Sequence, residues 1–154
     1  MKHVSEWRYR LNDAVHALLF PDLDEFKKVN DSSGHAAGDR LLQSVSQVLQ
    51  TAVRKGDSVA RLGGDEFGIL LAGCDPDNAL LIANTIRESI TRFEFNWGEK
   101  SFSIGACIGT VMIDRNTQDV NGLMRNADIA CYSAKNKGKN AVQVYTANPE
   151  LAGL

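Results

Sequence analysis

Two short acidic clusters carry most of the chemistry legible in this 154-residue chain. The first is Gly63-Gly64-Asp65-Glu66-Phe67, set between the apolar stretches Val59-Ala60 and Ile69-Leu70-Leu71. Glycine reaches the positive φ values that tight turns demand, so the spacing predicts a β-hairpin with a sterically bare, acidic tip. Turn chemistry requires neither carboxylate, and adjacent like charges repel. A divalent cation would supply the reason for both. The second cluster, Asp22-Leu23-Asp24, follows the apolar run Ala17-Leu18-Leu19-Phe20. If that run is a buried strand, alternation puts Asp22 and Asp24 on one face and turns Leu23 into the core. Mg²⁺, or Mn²⁺ in its place, is held by one or two carboxylates with backbone oxygen, water and substrate phosphates. Asp22, Asp65 and the Leu23 carbonyl make such a set, with Glu66 beside it. Sites of this kind activate a hydroxyl and neutralise charge in phosphoryl or nucleotidyl transfer. Each cluster alone also reads as a plain acidic surface turn.

Three further groups suit a nucleotide. Asn30 and Asp39 offer an amide and a carboxylate, a pairing that can read the N1–H, exocyclic amine and ring acceptors of guanine; both types also serve in turns and helix caps. Lys27, Lys135 and Lys139 are compact cations able to meet a triphosphate as charge moves onto a leaving pyrophosphate. Arg54-Lys55-Gly56-Asp57 is separated from Gly63-Gly64 by the five residues 58–62. Its arginine can grip phosphate or stack on a base while its aspartate accepts. The same tetrapeptide also reads as a helix end followed by a turn. His35, in a Gly-rich segment, is read as a structural hydrogen-bonding residue.

The elements that must position these residues follow from periodicity. Leu41, Leu42, Val45, Val48 and Leu49 predict a helix over 38–54, fed by a loop over 30–39. The hairpin spans 58–72. Asp75-Pro76 predicts a cap and first turn, with Ala79, Ala83, Ile86 and Ile90 on the buried face of the next helix. A short strand over 93–97 precedes 101–113, which reads as a strand pair or one interrupted strand. Asp119 caps a last helix whose stripe is Leu123, Ala127, Ala130, Cys131 and Ala134, stopped by Gly138. A final strand covers 141–145. This order implies an α+β domain with a mainly antiparallel sheet and helices on its faces. Residues 1–15 are read as a helical lead-in, 16–147 as one domain, and 148–154 as a tail or linker.

Composition narrows the partners. The net charge of −2 gives no basic field for a nucleic-acid polymer. No run is apolar enough to span a bilayer, so this segment is expected to make no membrane contact and to act in the cytoplasm, even if a longer chain is membrane-anchored. Cys74, Cys107 and Cys131 lack CxxC spacing and are expected as reduced, core-facing thiols.

Gly63-Gly64-Asp65-Glu66-Phe67 is also the signature of the GGDEF family of bacterial diguanylate cyclases. Asp22-Leu23-Asp24-Glu25-Phe26-Lys27-Lys28-Val29-Asn30-Asp31, followed by Gly34-His35-Ala36-Ala37-Gly38-Asp39, resembles that family's other strong block. Tyr132-Ser133-Ala134-Lys135-Asn136-Lys137-Gly138-Lys139-Asn140 is similar to its C-terminal block. The resemblance runs from His16 to Tyr145 in the family's order. It implies a nucleotidyl-cyclase-like palm with a central five-stranded sheet and a head-to-head homodimer. Two GTP molecules would condense there to cyclic di-GMP and two pyrophosphates. It implies Asp65 as metal ligand and general base, Glu66 as a further required acid and Lys27 as transition-state stabiliser. Asn30 and Asp39 would contact guanine, Lys27, Lys135 and Lys139 phosphate, with Phe26, Gly63 and Gly64 also lining the substrate. Arg54 and Asp57 would bind cyclic di-GMP as a feedback inhibitor.

Four departures stand out. Lys139 replaces the common arginine, Thr85 stands where a further product-binding arginine is often found, the opening Asp-x-Leu-Thr-Gly-Leu block is absent, and Pro21 interrupts the first strand beside Asp22. If that strand is central, Pro21 implies strain or a bulge. The segments Phe93-Glu94-Phe95-Asn96-Trp97 and Val142-Gln143-Val144-Tyr145 resemble GGDEF domains that precede an EAL-type phosphodiesterase domain, so sensory and EAL-type neighbours are expected. The alternative function is a weak or inactive module that binds GTP or cyclic di-GMP to regulate such a neighbour.

Overall fold

The computed structural model describes residues 15–114 and 119–146. The 1–15 lead-in and the 148–154 tail fall outside the described residues, apart from Val15. Among the described residues, seven strands and four helices follow one another as β1 (His16–Leu23), α1 (Phe26–Ser33), α2 (His35–Ala52), β2 (Ser58–Gly63), β3 (Glu66–Leu71), α3 (Pro76–Arg92), β4 (Glu94–Trp97), β5 (Lys100–Ser103), β6 (Ala106–Ile113), α4 (Val120–Asn136) and β7 (Val142–Val144). The five-stranded sheet has the order β2-β3-β1-β6-β7, and β4 and β5 form a separate hairpin. All pairings in the large sheet are antiparallel except β6 with β7. This is the α+β architecture the sequence predicts.

The sheet is covered on both faces, and the period-2 alternation of β1 decides what meets what. Ala17, Leu19 and Leu23 join the cluster formed with α2 and α3, whereas Leu18 and Phe20 face α4. Asp22 therefore also lies on the α4 side. In β3, Phe67, Ile69 and Leu71 pack toward α2 and α3, and Leu70 packs toward α4. Leu123, Ala127, Ala130, Cys131 and Ala134 are the buried residues of α4, the stripe read from periodicity. Four of these five are alanine or cysteine, so α4 lies close to the sheet. A Cβ at Gly109 of β6 would fall 2.1 Å from the Ala127 carbonyl oxygen, and only glycine permits that approach. The α3 stripe Ala79, Ala83, Ile86 and Ile90 is likewise buried. Its cap is Asp75, whose carboxylate accepts from the Asn78 N–H at 2.8 Å, a contact worth about 1 kcal/mol.

Pro21 sits on the central strand without the expected bulge. The β1–β6 register is unbroken from His16↔Ile113 to Leu23↔Ala106. Pro21 faces Ile108 there, and the Ile108 N–H points the other way, to the Ala141 carbonyl at 2.9 Å. That pair needs no donor from proline. On the β3 side the pairs between Leu19↔Ile69 and Asp22↔Glu66 are missing, but the register is the same before and after the gap. The missing N–H thus costs ladder bonds and leaves the geometry of Asp22 intact.

A second correction concerns the loop expected over 30–39. Asn30 lies inside α1 and Asp39 in the second turn of α2, so neither does turn or cap duty. Helix α1 has eight residues and a single buried one, Val29, too few for an apolar period to register in the sequence. Gly34, at φ 89°, breaks the two helices apart while its N–H closes α1 on the Asn30 carbonyl at 2.8 Å. Helix α2 accordingly begins at His35, three residues before the expected start. Among the described residues no helix is long and apolar enough to cross a membrane. Cys74, Cys107 and Cys131 are free and buried.

Candidate nucleotide and metal site

The hairpin forms where the glycines allow it. Gly63 and Gly64 take φ values of 150° and 50°, and the Arg61 Nε–H closes the turn on the Gly64 carbonyl at 3.0 Å. A register shift between Arg61 and Gly63 aims the tip. Glu66, the first residue of β3, is the register partner of Asp22, near the end of β1. Directly opposite residues share a face. Asp22 and Glu66 therefore both lie on the α4 side, with Asp65 adjoining at the tip.

Helix α4 brings two charges to this place, Asp128 and, two turns later, Lys135. The Lys135 ammonium donates to Asp22 Oδ2. Asp22 is only 8% exposed, and its other oxygen, Oδ1, is buried without a hydrogen-bond donor. Burial, partly opposed by Lys135 and reinforced by Asp65, raises the Asp22 carboxyl to about 6. Burial also raises Glu66, helped by the charges of Asp128 and Asp65. Burial works most strongly on the Lys135 ammonium and lowers it, but its hydrogen bond to Asp22 and the nearby charges of Asp22 and Asp65 together leave it raised. Carboxylates held above their ordinary range by burial and by one another form a site short of positive charge. Hard oxygen donors with one orphaned lone pair suit Mg²⁺ or Mn²⁺, so the residues present fit such an ion. Among the described residues no group of three or more His, Cys, Asp or Glu side chains forms a ready-made cage. The sequence reading needs only two carboxylates and the carbonyl of Leu23, the last residue of β1. Asp128 was missed there because nothing local marks it; only the α4 packing brings it near Glu66.

Asn30 is presented by α1 toward the start of α2. Its Oδ1 is buried without a partner. A Cβ at Gly38 would fall 1.9 Å from that oxygen and 3.2 Å from Phe26 Cζ. Gly38 therefore lets the two helices close and Asn30 lie over α2, next to Asp39, which is exposed. Phe26 packs against the main core and Lys27 is exposed on the first turn of α1. Lys139 is exposed in the turn after α4, at φ 65°. Asp24, the second acid of its cluster, is occupied elsewhere: its carboxylate accepts from the Cys107 thiol and the Asn140 N–H.

Arg54 and Asp57 lie at the far end of α2 and bind each other. Arg54 Nε and Nη2 donate to Asp57 at 3.0 and 3.1 Å, and Nη2 also donates to the Ala72 carbonyl at 2.8 Å. Asp57 further accepts the N–H groups of Arg54 and Ala72. Its side chain is 1% exposed, that of Arg54 50%. They border an open cleft of about 440 Å³ shared with Gln50 and Val59.

Comparisons with known proteins identify the family. The family model described as diguanylate cyclase, GGDEF domain, matches residues 3–141. The chain is 46% identical over 130 residues to the probable diguanylate cyclase DgcE of Escherichia coli, covering 84% of this chain and 12% of that protein. It is 40% identical over 129 residues to the bifunctional diguanylate cyclase/cyclic di-GMP phosphodiesterase MucR of Pseudomonas aeruginosa, covering 84% and 19%. The chain thus spans a small part of these relatives. Among solved structures, an EAL/GGDEF domain protein from M. capsulatus superposes with a TM-score of 0.80 at 42% identity, covering 88% of this chain and 87% of that one. With the GGDEF signature at the tip of β2–β3, and with this match over nearly its whole length, the chain belongs to the GGDEF domain family of diguanylate cyclases.

Proposed function

We propose that this domain condenses two GTP molecules, one on each subunit of a homodimer, to cyclic di-GMP and two pyrophosphates. The observation that supports it most is the register pair Asp22↔Glu66, which gathers Asp22, Asp65 and Glu66 against Lys135 at one end of the sheet. Coordination of Mg²⁺ or Mn²⁺ by Asp22, Asp65 and the Leu23 carbonyl would acidify the attacking hydroxyl and offset the charge of the triphosphate. Asp65 accepts the proton of the 3′-hydroxyl as that oxygen bonds to the α-phosphorus of the opposing nucleotide, and pyrophosphate departs with the bonding electrons. Lys27, Lys135 and Lys139 neutralise the phosphate oxygens. Lys135 already touches Asp22, so the same ammonium serves metal site and phosphate. Glu66 adds negative charge beside the metal ligands. Phe26, Gly63 and Gly64 line the nucleotide without side-chain charge.

Asn30 and Asp39 select guanine. The unpartnered Asn30 Oδ1 can accept from guanine, whose adjacent N1–H and amine form a paired donor edge that adenine, with an amine but no N1–H, lacks. The product returns to the cleft at Arg54, where a half-exposed guanidinium meets phosphate. Each subunit holds half of the reaction, so the active form is a dimer, working in the cytoplasm where GTP is abundant. In the full-length protein the neighbours are a sensory domain and an EAL-type domain. Calorimetry tests the nucleotide reading: the domain should bind GTP at least tenfold more tightly than ATP, and only with Mg²⁺ or Mn²⁺ present. Equal affinity for the two nucleotides would remove Asn30 and Asp39 from the site.

A further inference from the structure

Asp24 is the buried charge that nucleotidyl transfer leaves unused. It is 6% exposed, and each of its oxygens meets a different donor. Oδ1 accepts from Cys107 Sγ at 3.0 Å and Oδ2 from the Asn140 N–H at 2.7 Å. Burial, and then the bond to Asp24, push the Cys107 thiol up to about 12, so it remains a donor. Two donors demand a group that accepts at both ends, which a carboxylate does and a carboxamide cannot. The contact is tight on its third side. The Asp24 N–H donates to the Gly105 carbonyl at 2.9 Å, and a Cβ at Gly105 would fall 3.0 Å from Asp24 Oδ2 and 3.1 Å from Asn140 Cβ.

What Asp24 holds is a left-handed turn. Lys139 and Asn140 take φ values of 65° and 45° in succession, a conformation uncommon for lysine and one that asparagine adopts more readily. A second contact comes from α3, where Thr91 Oγ1 shares its one proton between the Arg87 carbonyl at 2.9 Å and Asn140 Oδ1 at 3.2 Å. We infer that Asp24 is a positioning residue for nucleotide binding, clamping the 139–140 turn to the end of β1 so that Lys139 meets the triphosphate. Two residues before Asp24 stands Asp22. The clamp therefore puts the carboxylate end of β1 and the cation-bearing turn in one rigid frame, and a misplacement of about 1 Å in such a frame is costly. The inference rests on the reading of Lys139 as a phosphate contact.

The test is a double-mutant cycle read by calorimetry with a non-reacting GTP analogue, bridged by methylene between the α- and β-phosphorus, in Mg²⁺. Asp24→Asn should weaken binding five- to tenfold. In a Lys139→Ala background the same change should add less than twofold. Losses that multiply, or an Asp24→Asn domain that binds as tightly as wild type, would overturn the clamp. Amide exchange supplies a readout that needs no nucleotide: Asn140 should lose protection in Asp24→Asn while the buried amides of α4 keep theirs, and unchanged protection at Asn140 would contradict the inference. A wild-type domain that fails to bind the analogue contradicts the nucleotide reading alone. If Asp24→Asn does not fold, Thr91→Val loosens the same turn from an exposed position. It should weaken binding two- to threefold and have no effect beside Lys139→Ala; full affinity in Thr91→Val would overturn the clamp.

Discussion

At the scale of single residues, Asp22 and Asp65 carry opposite burdens. Asp65 lies on a turn whose backbone is set by Gly63 and Gly64, so Asp65→Asn should leave the fold intact and remove a metal ligand and proton acceptor. Cyclic di-GMP formation should fall on the order of a hundredfold or more, with the melting temperature unchanged. Near-normal turnover in that variant would move the proton transfer to Glu66. Asp22 is buried and costs stability. Its folded value of about 6 lies above the ordinary 3.8, so the folded state holds the proton more tightly than the unfolded one. The penalty is full above about pH 6 and fades as the pH falls toward 3.8. In chelator, Asp22→Asn should therefore be the more stable protein at pH 8, by on the order of 1–2 kcal/mol, with the gap closing near pH 4. It should also lose any stabilisation by added Mg²⁺. Denaturant melts at the two pH values check the sign, and an Asp22→Asn domain less stable at pH 8 would contradict it.

At the scale of elements, the end of α2 and the end of β3 are joined by Arg54, Asp57 and Ala72, which divides the two residues of the proposed product site by role. Asp57 satisfies two backbone N–H groups from a position almost without solvent, so Asp57→Ala should destabilise the domain by about 1–3 kcal/mol. Arg54 is half exposed. Arg54→Ala should relieve inhibition by added cyclic di-GMP while leaving the initial rate unaltered, because Asp22, Asp65 and Lys27 lie elsewhere. Thr85, exposed on α3, adds no cation, so inhibition in the wild type should be weaker than where an arginine stands there. Initial rates against added product decide the matter: identical curves for wild type and Arg54→Ala would leave the tetrapeptide as a helix end alone.

At the scale of the whole molecule, the strands and long helices were legible because their apolar residues recur at periods of 2 and 3.6 over many positions. The stripes of α3 and α4 were read residue for residue. Helix α1 was not, since one buried valine in eight residues carries no period, and its packing on α2 is decided by the absence of a side chain at Gly38. Pro21 was misjudged for a related reason: whether a proline is tolerated depends on which neighbour its missing N–H faces, and that is a property of register across β6 and β3. Asp22, Asp65 and Glu66 were legible as a cluster. The commitment of Asp24 to Asn140 and the approach of Asp128 to Glu66 were not, because both join segments separated by more than sixty residues. The most direct measurement of the central claim is turnover of GTP by the purified domain in Mg²⁺, with cyclic di-GMP and pyrophosphate quantified together across a range of protein concentrations. One cyclic di-GMP should form for every two pyrophosphates, at a rate per subunit that rises with concentration as the half-sites pair. GTP bound but left intact at every concentration would make the domain a binding module, contrary to the account given for Asp65.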